Sequence, residues 1–175
     1  MKQPTIKTEH FTLRPFKMSD AKEVAEQAND KEVARNVGSL PYPYKLKDAQ
    51  GWLKMITKEK YKQYPSQFDF AIVVEGKVAG SISLNSIKYD HKAELGYWLG
   101  RDFRGKGIGS RAIKEVCDFG FSQLGLRRIA ARVYSYNTAS RRVLEKNHFQ
   151  VEGLMRKEDK QWGKYIDAYL LARVK

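Results

Sequence analysis

With 175 residues, 42% of them hydrophobic, the chain is long enough for one domain with a sizeable core, and its composition excludes disorder. Lysine and arginine outnumber aspartate and glutamate by 33 to 20, but they are scattered and match no nucleic-acid-binding motif. We therefore expect no specific nucleic-acid binding. The three isolated histidines predict no metal site. The single cysteine and the absence of long apolar runs favour a cytoplasmic protein without a membrane span.

The first part of the chain predicts a strand, two helices and a loop. Residues 11–16, FTLRPF, alternate apolar and polar side chains as a strand does. Asp20 and Glu23 have the spacing of a capping box, which predicts a helix after them. Residues 39–45, SLPYPYK, carry two prolines and predict an ordered loop. Apolar side chains within 49–56 then recur at helical spacing.

Strands and helices alternate over the rest of the chain, and no linker or repeat divides it. The predicted strands cover 68–74, 78–87, 93–100, 128–135, 149–156 and 165–174. One predicted helix ends near Leu124, and another begins after its cap, Asn137. Several consecutive strands followed by strand–helix alternation indicate a mixed sheet. We therefore predict one α+β domain over residues 1–175.

A glycine-rich loop, RGKGIG at 104–109, directly precedes one of the predicted helices. Glycine permits close approach to the backbone, and a helix N-terminus with free N–H groups suits a phosphate. Arg104 and Lys106 add positive charge. A P-loop is excluded because Gly107 stands where serine or threonine would hold Mg²⁺, and the spacing is one residue too short for the dinucleotide fingerprint. The loop therefore predicts a different phosphate site.

The order of these motifs resembles the GNAT superfamily of acyl-CoA-dependent N-acyltransferases. Arg104, Gly107 and Gly109 match its Q/R-x-x-G-x-G/A cofactor loop, and TEHFTLRPF, ELGYWLGRDFRGKGIGSRAI, NTASRRVLEKNHFQVEG and GKYIDAYLL resemble its RimJ/RimL branch. That branch includes acetyltransferases of ribosomal-protein N-termini. The resemblance implies a mostly antiparallel, twisted sheet with helices on both faces and a splayed central strand pair.

The resemblance also implies acetyl-CoA as cosubstrate, without a metal. The pyrophosphate is expected on the loop amides, and the pantetheine arm is expected beside the strand that ends the GYWLG motif. The residues that this implies for cofactor binding are Trp98, Leu99, Gly100, Arg104, Gly105, Lys106, Gly107, Ile108, Gly109 and Asn137.

Two residues are candidates for catalysis. Many superfamily members use a tyrosine as proton donor near the position of Leu144, whereas the RimJ/RimL branch has a serine one turn earlier, here Ser140. Glu94 shares a strand face with Gly96 and Trp98 by the alternation of a strand, and an apolar setting would raise its pKa toward that of a general base. Glu152, Asp167 or a water chain are the alternatives for the base.

Several points stay open at this stage. The chain has His148 where the family usually has glycine, and a histidine at this position is expected to strain the turn. The expected acceptor is a protein N-terminal amine, a lysine-like amine, or a small molecule such as a polyamine or an antibiotic, and a non-catalytic acyl-CoA-binding regulator is the alternative function. The oligomeric state is open, a homodimer included. The aromatic candidates for the acceptor cleft are Tyr42, Tyr44, Trp52 and Trp162.

Overall fold

Eight strands and five helices make up the computed structural model, which describes residues 3–38, 40–59 and 62–175. The strands are β1 (Ile6–Lys7), β2 (Thr12–Pro15), β3 (Phe68–Val74), β4 (Lys77–Lys88), β5 (Lys92–Leu99), β6 (Arg128–Tyr134), β7 (Gln150–Gln161) and β8 (Lys164–Val174). The helices are α1 (Ala21–Ala28), α2 (Lys31–Asn36), α3 (Leu46–Glu59), α4 (Ile108–Gln123) and α5 (Thr138–Lys146).

All eight strands form one sheet in the order β1-β2-β3-β4-β5-β6-β8-β7. Every neighbouring pair is antiparallel except β5 and β6, which are parallel. That parallel pairing covers only Lys92 with Arg128, Ala93 with Ile129 and Glu94 with Ala130. Beyond Glu94 the two strands are no longer paired, so a gap opens in the centre of the sheet. The predicted α+β fold with a splayed central strand pair is confirmed.

Helices cover both faces of the sheet, as predicted. On one face, α4 buries Ile113 and Val116 in a cluster with Phe70 of β3 and Ile129 of β6. On the other face, α1 and α3 pack Val24 and Leu53 in a second cluster against the β3–β4 region. Burial of such side chains stabilises each by about 1.5–3 kcal/mol. The two cores fix β5 from both sides and so hold the edge of the gap.

The start of α1 differs from its prediction. Asp20 makes no side-chain cap for α1; its carboxylate instead accepts the Lys17 N–H at 2.8 Å and pairs with Arg14. The Glu23 carboxylate accepts the Val78 N–H of β4 at 2.6 Å. The predicted capping box is therefore wrong. Glu23 accepts a hydrogen bond from the Val78 N–H, which is distant in sequence, instead of one from the N-cap of α1.

The segment between α1 and α3 contains one further difference and one confirmed prediction. The six-residue helix α2 was not predicted, since so short a helix leaves little periodicity to read. The predicted loop is confirmed for residues 40–45, and Ser39 lies outside the described residues.

His148 occupies the left-handed position that ends α5. Its φ is +65°, and it follows the C-cap Asn147. The Phe149 N–H donates to Leu144 O at 3.1 Å and the His148 N–H donates to Glu145 O at 3.0 Å. These are the two hydrogen bonds of a Schellman motif, whose left-handed residue is most often glycine. The strain expected from histidine here is confirmed as a positive φ.

We expect His148→Gly to stabilise the fold by about 0.5–1 kcal/mol, the strain relieved minus the larger backbone entropy of glycine in the unfolded chain. His148 is exposed, so no packing is lost. Urea unfolding of the parent and the variant measures the difference. His148→Ala, which keeps the positive φ without relief, is the control and should not stabilise. A lower stability of the glycine variant would contradict this account.

Candidate active site

The gap between β5 and β6 is a cleft of about 520 Å³. Its walls are residues 95–99 of β5, residues 131–134 of β6, the start of α4 and the α5 residues that include Ser140. The α2 side chains of residues 32–33 and 36 also line it. A cleft with two strand edges and two helix starts in its walls presents both apolar surface and backbone hydrogen-bonding groups to a long ligand.

The glycine loop forms one end of this cleft and has the backbone geometry of an anion site. Gly105 and Gly107 have φ values of +74° and +75°, which favour glycine strongly. Gly107 is the N-cap of α4 and supplies no side-chain cap, so the first N–H groups of the helix are left without intrahelical partners. The Arg104 N–H is already donated to Arg101 O at 3.3 Å. The available amides therefore begin after Arg104.

Arg104 lines the cleft, but its guanidinium is already hydrogen-bonded within the protein. Its Nε donates to Leu99 O at 2.9 Å, and its terminal nitrogens lie 3.0 Å from an Asp30 oxygen and 3.1 Å from a Glu32 oxygen. Burial opposes ionisation of Asp30, but the Glu32 N–H and the Arg104 charge lower its pKa. Arg104 thus joins the end of β5 to the start of α2, and its charge is already matched by carboxylates.

A different arginine, Arg111, lies at the glycine loop. A Cβ placed on Gly107 would be 3.3 Å from an Arg111 terminal nitrogen. Sequence reasoning missed this residue, although a position four residues after the N-cap returns to the same side of the helix. Lys106 does not line the cleft, and its Nζ lies 6.0 Å from the centre of the Phe103 ring.

The remaining predicted cofactor residues divide into two groups. Trp98, Leu99, Ile108 and Asn137 line the cleft, together with the three loop glycines. Gly100 does not: its N–H donates to Ala79 O at 2.9 Å, and a Cβ there would meet Gln27 Oε1 at 2.0 Å. Glycine at position 100 thus allows α1 to approach rather than a ligand.

Ser140 faces the cleft from the first turn of α5. The Asn137 side-chain oxygen accepts the Ser140 N–H at 3.0 Å, which confirms that Asn137 caps this helix. Ser140 Oγ lies 2.8 Å from the hydroxyl of Tyr97, and burial raises the pKa of that tyrosine. Leu144 is fully buried in the core, one turn further along. Ser140 is therefore the hydroxyl that α5 presents, and Tyr97, which sequence reasoning missed, is its partner.

Glu94 does not have the apolar setting expected of a general base. Its side chain is 50% exposed and lies 3.5 Å from Arg132, and it lines neither this cleft nor the second one described below. Glu152 pairs with Arg128, and Asp167 accepts the Lys157 N–H at 2.8 Å, so both have structural partners. The role of Glu94 as a base stays a prediction without geometric support.

A second cleft, of about 620 Å³, lies on the opposite face of β5. Its floor carries Ser81, Ser83 and Asn85 of β4, and its walls come from the 40–44 loop and from α3. Of the four aromatic candidates for an acceptor cleft, Tyr44 and Trp52 line this one, whereas Tyr42 and Trp162 are 49% and 61% exposed and do not.

The two clefts share four residues, Val37, Gly96, Tyr97 and Trp98. A ligand in one cleft and a ligand in the other could therefore meet across the outer end of β5. This geometry fits an enzyme that transfers a group from an anionic carrier to a second substrate.

The described residues give no support to a cysteine nucleophile, a metal site or a membrane-spanning helix. Cys117 is fully buried, and burial raises its pKa to about 12, so it is not a reactive nucleophile. Over the described ranges, no three histidine, cysteine or acidic side chains are grouped as metal ligands. No described helix has the length and hydropathy to cross a membrane.

Comparison with known proteins identifies the family. Residues 10–150 match the acetyltransferase (GNAT) domain, and the chain is 33% identical to an uncharacterized N-acetyltransferase, p20, of Bacillus licheniformis over 98% of this chain and 96% of the relative. The chain therefore belongs to the GNAT family, and it is an acyl-CoA-dependent N-acetyltransferase.

Solved structures agree with this fold. RimL, a ribosomal L7/L12 alpha-N-protein acetyltransferase in complex with coenzyme A, aligns with a TM-score of 0.89, 23% identity and 98% coverage of both chains. Ribosomal-protein-S5-alanine acetyltransferase from Vibrio fischeri aligns with a TM-score of 0.85, 25% identity and coverage of 98% and 97%. The predicted RimJ/RimL-type resemblance is confirmed.

Proposed function

We propose that this protein transfers an acetyl group from acetyl-CoA to the N-terminal α-amine of a protein or peptide. The observation that carries the proposal is the meeting of two clefts at Gly96, Tyr97 and Trp98. One cleft suits a long anionic cofactor and the other suits an amine, and the reacting atoms would meet at this point.

The cofactor assignment follows from the cleft between β5 and β6. The N–H groups at the start of α4 and the Arg111 guanidinium would hold the pyrophosphate, because both favour negative charge. The unpaired edge of β5 at residues 95–99 would orient the arm and polarise the thioester carbonyl. Acetyl-CoA supplies an activated acyl group on a thiol leaving group. Ser140 would donate a hydrogen bond to the sulfur as negative charge develops there.

The proton requirement favours an α-amine over an alkyl amine. An α-amine has a pKa of about 7.7–8.0, against about 10.4 for a lysine-type amine, so much more of it is neutral near pH 7.5. The candidate base Glu94 is half exposed and lies beside Arg132. An α-amine that is already largely neutral does not need a strong base to deprotonate it before attack. A water chain suffices to remove the proton that the nitrogen loses after attack.

Charge favours a protein over a polyamine. The net charge of +13 repels a polycation and attracts an acidic partner. The second cleft itself is lined by two carboxylates, of Asp48 and Asp69, and one ammonium group, of Lys47, so its own charge suits the amine of an acceptor, and the excess of positive charge lies outside it. Asp48 already accepts the Lys45 N–H at 2.8 Å. The ribosomal-protein acetyltransferases among the structural relatives also favour a protein acceptor.

Thiol release from acetyl-CoA over an acceptor panel tests the proposal. The panel holds an acidic peptide with a free N-terminus, its N-terminally blocked form with one internal lysine, a basic peptide with a free N-terminus, and spermidine. We expect the acidic free N-terminus to be acetylated with the highest kcat/KM, and its advantage over the basic peptide to shrink as salt rises. Mass spectrometry locates the acetyl group.

Two outcomes would contradict the proposal, and a third would contradict the charge argument for an acidic partner. Faster turnover of spermidine or of the blocked peptide would replace the α-amine by an alkyl amine. Tight acetyl-CoA binding without turnover of any acceptor would favour the non-catalytic regulator. An unchanged preference for the acidic peptide at high salt would remove the argument from charge.

A further inference from the structure

Tyr97 connects the two helices that flank the cofactor cleft. Its hydroxyl lies 2.8 Å from Ser140 Oγ on α5. Gly109 of α4 lies against the tyrosine ring, since a Cβ on Gly109 would be 3.8 Å from Tyr97 Cε2. The ring also packs on the main hydrophobic core. Tyr97 is thus held from both sides at the point where the two clefts meet.

The direction of this hydrogen bond decides what Ser140 can do. A serine hydroxyl has one proton and two lone pairs, so a proton given to Tyr97 could not also be given to a ligand. A phenol has a pKa of about 10 and is far more acidic than an alkyl hydroxyl, which makes it the stronger donor of the two. Burial raises the pKa of Tyr97 further and keeps it neutral, and hence a donor, over the working pH range.

We propose that Tyr97 is a positioning residue for acetyl transfer: its hydroxyl donates to Ser140 Oγ and thereby leaves the serine proton free to point at the departing sulfur. This inference rests on the proposed use of acetyl-CoA. When the tetrahedral intermediate collapses, the carbon–sulfur bond breaks and its electron pair goes to sulfur. The serine proton is shared with that thiolate, and Tyr97 keeps its own proton throughout.

Tyr97→Phe tests the proposal because it removes the hydroxyl and keeps the ring. We expect kcat to fall about three- to tenfold, the value of one neutral hydrogen bond, while the Kd for acetyl-CoA stays within about twofold. The acceptor-free hydrolysis of acetyl-CoA should fall by the same factor, so the result does not depend on the identity of the amine. Tyr89→Phe is the matched control: it removes a hydroxyl that donates to Pro65 O at 3.0 Å, away from both clefts, and kcat should not change.

A double-mutant cycle separates positioning from packing. If Tyr97 acts through Ser140, then Tyr97→Phe in a Ser140→Ala background should have no further effect on kcat. S-phenyl thioacetate, whose thiolate leaves without assistance, should be cleaved equally well by the parent and by both single variants. Additive losses in the cycle, an unchanged kcat, or a loss of acetyl-CoA affinity would each overturn the role of Tyr97. A parent protein that binds acetyl-CoA but neither hydrolyses nor transfers its acetyl group would overturn the proposed function itself.

Discussion

Replacement of Gly107 by aspartate is expected to weaken acetyl-CoA binding by at least about 100-fold, since it removes charge-assisted hydrogen bonds and adds repulsion. The new Cβ would lie 3.3 Å from the Arg111 guanidinium, so the carboxylate would occupy the expected pyrophosphate position and pair with that arginine. It would also place a negative charge at the start of α4, where the available N–H groups are. Isothermal titration measures the affinity, and the ligand-induced rise in Tm gives a second measurement.

The fold itself should tolerate this change, and a matched control shows whether it does. Gly76 also has a positive φ, +81°, in the turn between β3 and β4, and a side chain there meets nothing within 4 Å. Gly76→Asp therefore adds the same strain and the same charge away from the cleft, and it should leave the affinity unchanged. Equal affinities of the Gly107→Asp variant and the parent would contradict the assignment of the loop. So would binding of NAD or of ATP with Mg²⁺ as tight as that of acetyl-CoA.

The sequence predicted well what depends on neighbouring residues. The strand at 68–74 has the predicted bounds, because its apolar run ends at a two-residue turn with positive φ at Glu75 and Gly76. The helix after the glycine loop begins at Ile108. The glycines, the N-cap at Asn137 and the left-handed residue His148 are likewise local signals. Each expresses a backbone preference within a few residues.

The sequence could not predict contacts between distant segments. The position of Arg104 in the loop predicts a phosphate-binding cation. In the structure its guanidinium instead donates hydrogen bonds to Glu32 and Asp30, which are 72 and 74 residues earlier in the chain. The hydrogen bond between Tyr97 and Ser140 spans 43 residues. Which side chains meet across the cleft depends on the sheet register and on the helix positions, and no local pattern encodes either.

Glu94 shows that the alternation of a strand predicts the face on which a side chain lies but not the exposure of that face. Alternation correctly separates the two faces of β5, but it does not state how well each face is covered. The side chains on both sides of Glu94, Ala93 and Leu95, are buried on the α4 side of the sheet, whereas Glu94 itself is half exposed. Arg132 of β6 lies beside it because the strands diverge from this point. The gap that makes the site thus also leaves the predicted base in contact with solvent.

Ser140→Ala is expected to slow turnover by about 100-fold, the usual loss when one proton-donating group is removed from a transition state. Acetyl-CoA affinity should stay nearly unchanged. The backbone N–H of residue 140 would still donate to Asn137, so the cap of α5 would survive the substitution. Steady-state kinetics with the best acceptor gives kcat, and titration gives the affinity. Ser122→Ala is the matched control, because Ser122 Oγ donates to Asp118 O at 2.6 Å on the outside of α4.

The relation between kcat and affinity decides between the two roles of Ser140. A serine in the first turn of a helix is common without any catalytic purpose. If the Ser140 side chain only packs, its loss would leave kcat within about twofold of the parent and lower the Tm. If it assists the departing sulfur, its hydrogen bond strengthens as charge develops, so the loss appears in kcat and not in the ground-state affinity. An affinity that falls while kcat stays unchanged would instead show that the hydroxyl binds the cofactor equally in the ground state and in the transition state.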